Sequence, residues 1–101
     1  MKSKTKQQIL NLSADLRRIS WWACDRKTKR DALIERFLNL TKKQKQILER
    51  ENSKVGEIVE RKMLADWPKV KGAKKDRLVW AEETLTSSLR LKHLVTRLTR
   101  T

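Results

Sequence analysis

The feature that most limits how this chain can fold is the near-absence of residues that form turns. Its 101 residues include two glycines, Gly56 and Gly72, and one proline, Pro68. Tight β-hairpins depend on glycine-containing pairs at their turns, so a sheet of short strands has almost no turn chemistry here. The sequence therefore predicts an all-α fold.

A first helix is predicted to begin at Thr5, which opens a Thr-x-x-Gln sequence of capping-box form. Steps of three and four residues then place one set of apolar side chains on a single helix face. This face comprises Ile9, Leu12, Leu16, Ile19 and Ala23. A second helix is predicted from a similar quartet at Thr28 to about Arg50. Its periodic residues are Leu33, Ile34, Phe37, Leu38, Thr41, Ile47 and Leu48.

Asn52 and Ser53 predict a break and a new helix start, after which a shorter helix carries Val55, Ile58, Val59 and Met63. Alternatively, residues 31–66 form one long helix, because neither Asn52 nor Gly56 is an absolute stop. Trp67 precedes Pro68 and is disfavoured in the α region, so this element ends there and residues 69–75 are predicted as a loop. A last helix is predicted from a cap at Asp76 to about Thr99. Its apolar residues are Leu78, Ala81, Leu85, Leu89, Val95 and Leu98, with Leu91 and Leu94 widening the face.

Amphipathic helices with short connections bury their apolar faces best when they pack together. A chain of this length is large enough for one modest core. We therefore predict a single domain over residues 1–101, a compact bundle of three to four amphipathic helices.

The net charge of the chain is more informative about its binding partners than about its fold. There are 26 Lys and Arg against 12 Asp and Glu, a formal charge of +14. Residues 1–30 contribute +7 and residues 67–101 contribute +6, whereas residues 31–66 contribute only +1. A domain with this excess attracts polyanions, so RNA or DNA is the expected partner. If the fold brings the terminal thirds together, they form one basic surface.

Phosphate contact requires only cations that reach the nucleic-acid backbone and release its counterions, so their spacing can be irregular. The candidate nucleic-acid-binding residues are Arg17, Arg18, Arg26, Lys27, Lys29, Arg30, Lys69, Lys71, Lys74, Lys75, Arg77, Arg90, Lys92 and Arg97. The 69–77 segment is predicted to be the most exposed of these. The 26–30 segment lies at a predicted helix junction, where backbone N–H groups can add to phosphate binding. For any single cluster the alternative is a solvated surface with no ligand.

Tryptophan is unusually frequent, with four Trp beside one Phe and no Tyr. Trp21 and Trp22 are adjacent on a predicted helix and point about 100° apart, so both do not fit within one narrow apolar face. We interpret one of them as free to stack on a base or contact a partner protein; the alternative is that both cover the flank of the core. Trp67 is predicted to close one end of the bundle, and Trp80 to lie at the core edge or on the surface.

Catalysis and metal binding are not predicted. His93 is the only histidine, which excludes a multi-histidine metal site, and there is no glycine-rich phosphate loop. Cys24 is the only cysteine; it has no internal disulfide partner and is predicted to be a small buried residue. No cofactor is expected. There is no 18-residue apolar run and no apolar signal region, so no membrane association and a cytoplasmic or organelle-interior location are the default expectations.

Residues 40–60 carry a local pattern of regulatory DNA-binding domains. Leu40-Thr41-x-x-Gln44-x-x-Ile47-Leu48, followed by Glu57-Ile58-Val59-Glu60, resembles the opening of helix-turn-helix domains of the response-regulator and sigma-factor type. The resemblance covers about a fifth of the chain. It implies a recognition helix after residue 60 that reads DNA in the major groove.

Three hypotheses of function follow from these observations. The first is a non-enzymatic protein that binds the phosphate backbone of RNA or DNA with low base specificity, as a small subunit of a larger nucleoprotein assembly. The second is a helical interaction protein that self-associates or docks on an acidic protein partner through Trp21, Trp22 and the helix faces. The third is a helix-turn-helix regulator, which predicts strong discrimination between specific and random duplex.

Overall fold

The computed structural model describes residues 3–24 and 30–100, the last of these by its backbone only. This part of the chain forms six helices and no strands, which confirms the all-α prediction. The helices are α1 (Ser3–Cys24), α2 (Asp31–Glu51), α3 (Ser53–Ile58), α4 (Arg61–Ala65), α5 (Trp67–Val70) and α6 (Lys74–Arg100). Their number exceeds the predicted three to four because residues 53–70 divide into three short helices. None of the helices in the described ranges combines the length and apolar character needed to cross a bilayer.

The break at Asn52 is confirmed, so α2 and α3 are separate helices. Asn52 has an extended backbone, and its side chain accepts a hydrogen bond from the Lys54 N–H at 3.0 Å. The capping role predicted for Thr5 is wrong, because α1 begins at Ser3 and the Thr5 hydroxyl instead donates to the Glu51 carboxylate at the end of α2. Thr28 lies outside the described residues.

The loop predicted over residues 69–75 is shorter in the structure. Helix α5 extends to Val70 and α6 begins at Lys74, which leaves only residues 71–73 between them. Pro68 stands in the first turn of α5, where its missing N–H costs no helical hydrogen bond. Asp76 therefore lies inside the first turn of α6 and does not cap it.

Helix α1 packs antiparallel to both α6 and α2. The Ser13 and Ser20 side chains hydrogen-bond to α6 at Ser88 and Ala81, so the sequence numbers fall on α6 as they rise on α1. On the other side, Thr5 reaches Glu51 and Trp22 packs on Phe37, which gives the same relation to α2. The molecule measures 42 × 21 × 20 Å, and α6 runs for about 40 Å, nearly its whole length.

The buried face of α1 is the predicted one, since Ile9, Leu12, Leu16, Ile19 and Ala23 are all at most 1% exposed. On α6 the predicted face is partly wrong. Leu78 and Leu89 are 43% and 47% exposed, and small polar residues occupy the buried face in their place. These are Thr84, Ser87 and Ser88. Ser88 hydrogen-bonds to Ser13 of α1 and Ser87 to the Ile58 carbonyl of α3, and a hydrophobic pattern does not register such small polar residues.

Two further predictions of burial are corrected. Leu33 and Ile47 of α2 are 37% and 57% exposed, because α2 turns the face of Ile34, Leu38 and Leu48 toward the core. Cys24 is exposed at the end of α1. Trp67, predicted to close one end of the bundle, is by contrast 1% exposed and part of the core. Trp80 is 2% exposed and donates its indole N–H to the Met63 carbonyl at 2.7 Å.

Candidate nucleic-acid interface

The second half of α6 and helix α3 form a groove whose lining includes three cations. Asn52 starts α3 and thereby directs it back along α6, where the Ser87 hydroxyl donates to the Ile58 carbonyl at 3.2 Å. Helix α3 contributes Lys54, Glu57 and Ile58 to the groove, and α6 contributes Arg90, His93, Thr96 and Arg97. The α6 residues follow steps of three and four, so they lie on one helix face. We call this surface the α3–α6 groove.

Positive charge in the α3–α6 groove is available for an external anion. Lys54, Arg90 and Arg97 are exposed, and none has a carboxylate within 4.0 Å among the described residues. Glu57 is the one carboxylate in the groove lining. Side chains from two helices thus present three cations toward one open concave surface, where they can reach a phosphate chain.

A second set of cations lies where α5 turns into α6. Lys69, Lys71, Lys74 and Lys75 are all exposed, as predicted. The Lys71 ammonium lies 3.3 Å from a Glu35 carboxylate oxygen, but both side chains are about half exposed, so this pair is weak and exchangeable. Arg30, also exposed, precedes α2, and the contact of Asp31 with Arg77 places it at this same end. We call Lys69, Lys71, Lys74 and Lys75 the lysine cluster.

Arg77 is at the same end of α6 but belongs to the interior, contrary to its predicted exposure. It is 7% exposed. Its guanidinium donates to both carboxylate oxygens of Asp31, at 3.1 and 3.2 Å, and to the backbone carbonyls of Ala23 and Lys71. The same group lies 5.0 Å from the ring centroid of Trp67. Arg77 therefore joins α1, α2, α5 and α6, and its cation faces the protein.

The candidate residues of α1 occupy a different surface. Arg18 is exposed and pairs with Asp15 at 3.1 Å, whereas Arg17 stacks over Trp21 at 5.4 Å from the ring centroid. Burial raises the pKa of Asp15, and the neighbouring Arg18 opposes this in part. Lys92 is half-buried and lies beside Leu10 of α1, away from Arg90 and Arg97.

The two adjacent tryptophans, both candidates for stacking or partner contact, differ in exposure. Trp21 is 62% exposed. Trp22 is half-buried and meets Phe37 of α2 edge to face, with ring centroids 5.1 Å apart. Trp21 is therefore the one available to an external partner.

The structure brings some candidate residues together and separates others. Arg90 and Arg97 share the α3–α6 groove, and the lysine cluster forms a second group. From Lys75 to Arg90 the distance along α6 is about 22 Å. The terminal thirds do pack side by side, since α1 lies along α6. Their exposed cations in the described ranges, however, form separate clusters and not one basic surface. Arg26, Lys27 and Lys29 lie outside the described residues.

Of the residues that line the α3–α6 groove, sequence reasoning named only Arg90 and Arg97 as binding candidates, and among the basic side chains it missed Lys54 and His93. Lys54 belongs to the charge-balanced middle third, and His93 is a single imidazole on a polar helix face. The cap at Asn52 turns α3 back toward α6 and so brings Lys54 into the same groove as His93. The sequence contains this cap, but it does not specify where α3 packs. Among the described residues, no group of His, Cys, Asp and Glu side chains is arranged to hold a metal ion.

Similarity to known proteins adds no functional assignment. Comparisons with protein-family models, with curated proteins and with solved structures found no match. The chemistry of the surface is therefore the basis for a functional proposal.

Proposed function

We propose that this chain is a non-enzymatic nucleic-acid-binding protein that contacts the phosphate backbone of RNA or DNA with little base specificity. The observation that supports this most is the α3–α6 groove, where Lys54, Arg90 and Arg97 face solvent without carboxylate partners among the described residues. The formal charge of +14 supplies long-range attraction toward any polyanion.

Binding in this groove is electrostatic. Each phosphate that a cation neutralises releases condensed counterions, so affinity falls as salt rises. Arg90 and Arg97 are suited to this role, because a guanidinium donates two parallel hydrogen bonds to phosphate oxygens. Base edges play little part in such contacts, which accounts for the low specificity we propose. In a cytoplasmic nucleoprotein assembly, the chain would hold the nucleic-acid backbone while other surfaces meet protein.

The test is a salt titration of binding to RNA, single-stranded DNA and duplex DNA of matched length, followed by fluorescence anisotropy. We expect the logarithm of the affinity to fall linearly with the logarithm of salt concentration. A variant with Lys54→Ala, Arg90→Ala and Arg97→Ala should bind more weakly and lose up to about one unit of slope for each cation removed.

The matched control removes three cations elsewhere. Arg36, Lys43 and Arg50 are exposed on α2, outside the groove, so their replacement by Ala lowers the net charge equally. We expect this control to lose clearly less affinity than the groove variant. Equal losses would show that only net charge matters, and an unchanged slope in the groove variant would refute the proposed site.

The structure gives the helix-turn-helix hypothesis no additional support. The helix that follows Val59 is α4, which has five residues and buries Met63 and Leu64. A recognition helix needs an exposed face long enough to lie in the major groove. An interaction role is the better second candidate, because exposed apolar side chains such as Trp21 and Leu89 remain on the surface.

A further inference from the structure

The outward side of α2 carries a row of apolar side chains that the described residues do not cover. Leu33, Leu40 and Ile47 are 37, 45 and 57% exposed. They recur every seven residues and therefore lie along one line of the helix. Phe37, which is half-buried against Trp22, and Gln44, which is polar and half-buried, fall between them, which gives the alternating steps of four and three found in helix–helix seams. We call these five residues the α2 row.

A line of cations runs beside the α2 row. Arg36, Lys43 and Arg50 also recur every seven residues, each three positions after an apolar member and about 60° around the helix from it. All three are exposed, and none has a carboxylate within 4.0 Å among the described residues. Glu35 and Glu49 lie elsewhere on α2, where they pair with Lys71 and Lys45. Glu51 stands beyond Ile47 at the end of the row, where it accepts a hydrogen bond from Thr5. The border of the row is therefore basic.

We propose that the α2 row is a docking site for an acidic amphipathic helix of another protein. Such a helix would pack its apolar face on Leu33, Leu40 and Ile47 and place its carboxylates opposite the line of cations. The row is about 21 Å long, which corresponds to a partner helix of about four turns. This inference does not depend on the proposed nucleic-acid binding, because the α2 row and the α3–α6 groove share no residue.

Other occupants fit this surface less well. A second copy of the chain would bring the same cations and a further +14 charge toward the first. A nucleic-acid backbone would satisfy Arg36, Lys43 and Arg50 but would leave the apolar side chains without apolar contacts. An acidic amphipathic helix satisfies both halves of the surface at once.

The test uses a synthetic three-heptad peptide with Leu at the seam positions and Glu at the flanking positions, and a control peptide with Lys in place of Glu. We expect the 101-residue chain to bind the Glu peptide with micromolar affinity and the Lys peptide far more weakly. Replacing Leu33, Leu40 and Ile47 by Ser should weaken binding of the Glu peptide about tenfold or more. A matched control, Leu78→Ser with Leu89→Ser, removes similarly exposed leucines from α6 and should change binding less than about twofold.

Two further measurements keep the outcome decisive. Exchanging Arg36, Lys43 and Arg50 for Glu should transfer preference to the Lys peptide. In the unmodified chain, methyl NMR signals of Leu40 and Ile47 should shift on addition of the Glu peptide, while those of Leu78 and Leu89 stay in place.

Several results would overturn the proposal. These are absence of peptide binding, equal binding of both peptides, and equal losses in the two serine variants. Dimerisation that depends on Leu40 and Ile47 would identify a second copy as the occupant. Shifts of the Leu40 and Ile47 methyl signals with anionic vesicles or with an oligonucleotide, but not with the Glu peptide, would identify a different ligand.

Discussion

The two halves of α6 use arginine in opposite ways. Arg77, in the first half, is 7% exposed and donates hydrogen bonds to Asp31 and to two backbone carbonyls. Arg90, in the second half, is exposed in the α3–α6 groove, with no carboxylate within 4.0 Å among the described residues. The same side chain therefore stabilises the fold in one place and remains available to a ligand in the other.

The difference arises from what packs against each half. Around Arg77, the end of α1, the start of α2 and Trp67 of α5 converge and exclude water. Around Arg90, α3 approaches α6 from one side only and leaves an open groove. A count of basic residues treats both arginines alike, and only the tertiary packing shows which positive charges an external anion can reach.

The strongest test of this contrast is the substitution Arg77→Ala. It leaves the Asp31 carboxylate without its guanidinium in a largely buried position, and we expect a loss of about 3 kcal/mol or more in the free energy of unfolding. Arg77→Lys keeps the charge but lacks the planar fork of donors, so it should recover only part of this loss. Urea denaturation measures both variants. A loss below about 1 kcal/mol in Arg77→Ala would mean that the buried pair contributes little.

The second test compares the α3–α6 groove with the lysine cluster in nucleic-acid binding. Replacing Lys54, Arg90 and Arg97 by Ala should cost more affinity than replacing Lys71, Lys74 and Lys75, because the groove combines two guanidinium groups with a concave surface. Each set should also lower the salt slope, by about one unit for each phosphate that is no longer neutralised. Fluorescence anisotropy at several salt concentrations measures both effects. An unchanged slope in the lysine variant would remove that cluster from the site.

A smaller effect on the free energy of unfolding is expected from substitutions where α1 packs against the middle of α6. Ser13 and Ser88 are fully buried, and each hydroxyl donates to the backbone carbonyl of the other residue at 2.8 Å. Ser88→Ala removes one of these donors and should cost about 1 kcal/mol of stability. Groove affinity should stay unchanged, since Ser88 does not line it. A double-mutant cycle with Ser13→Ala measures the coupling energy between the two serines. Additive losses in the free energy of unfolding would exclude such coupling.

Helix existence and the α1 core could be predicted from the sequence, because steps of three and four apolar residues report directly on a buried face. The buried face of α6 could be predicted only in part: Ala81, Leu91, Leu94 and Val95 are buried as expected, but Thr84, Ser87 and Ser88 carry no hydrophobic signal and Leu78 and Leu89 carry a misleading one. The α2 pattern contains two apolar lines, through Ile34 and through Leu40, and periodicity alone does not say which one faces the core.

The candidate site divides in the same way. The sequence identifies Arg90 and Arg97 as basic residues, but whether they share a groove with Lys54 depends on where α3 packs. The interior role of Arg77 depends on Asp31, which is far away in sequence. The sequence shows which residues carry charge, whereas packing between distant segments determines which charged side chains are exposed to solvent.

The smallest predicted effect concerns Arg18, an arginine that is paired yet exposed. Its partner Asp15 has a side chain only 15% exposed, and burial raises the pKa of that carboxyl despite the nearby guanidinium. A carboxyl with a raised pKa binds its proton more tightly in the folded state, so stability falls as pH rises from its ordinary pKa of 3.8 through the raised value. Asp15→Asn removes this penalty and should be slightly more stable than the unmodified protein at pH 7. Urea midpoints measured toward about pH 3 should show the difference disappearing as Asp15 becomes protonated in both folded and unfolded chains. A variant less stable at pH 7 would mean that the ion pair with Arg18 stabilises the fold by more than desolvation of the Asp15 carboxylate costs. An exposed arginine would then stabilise this fold by pairing alone, without the burial seen at Arg77.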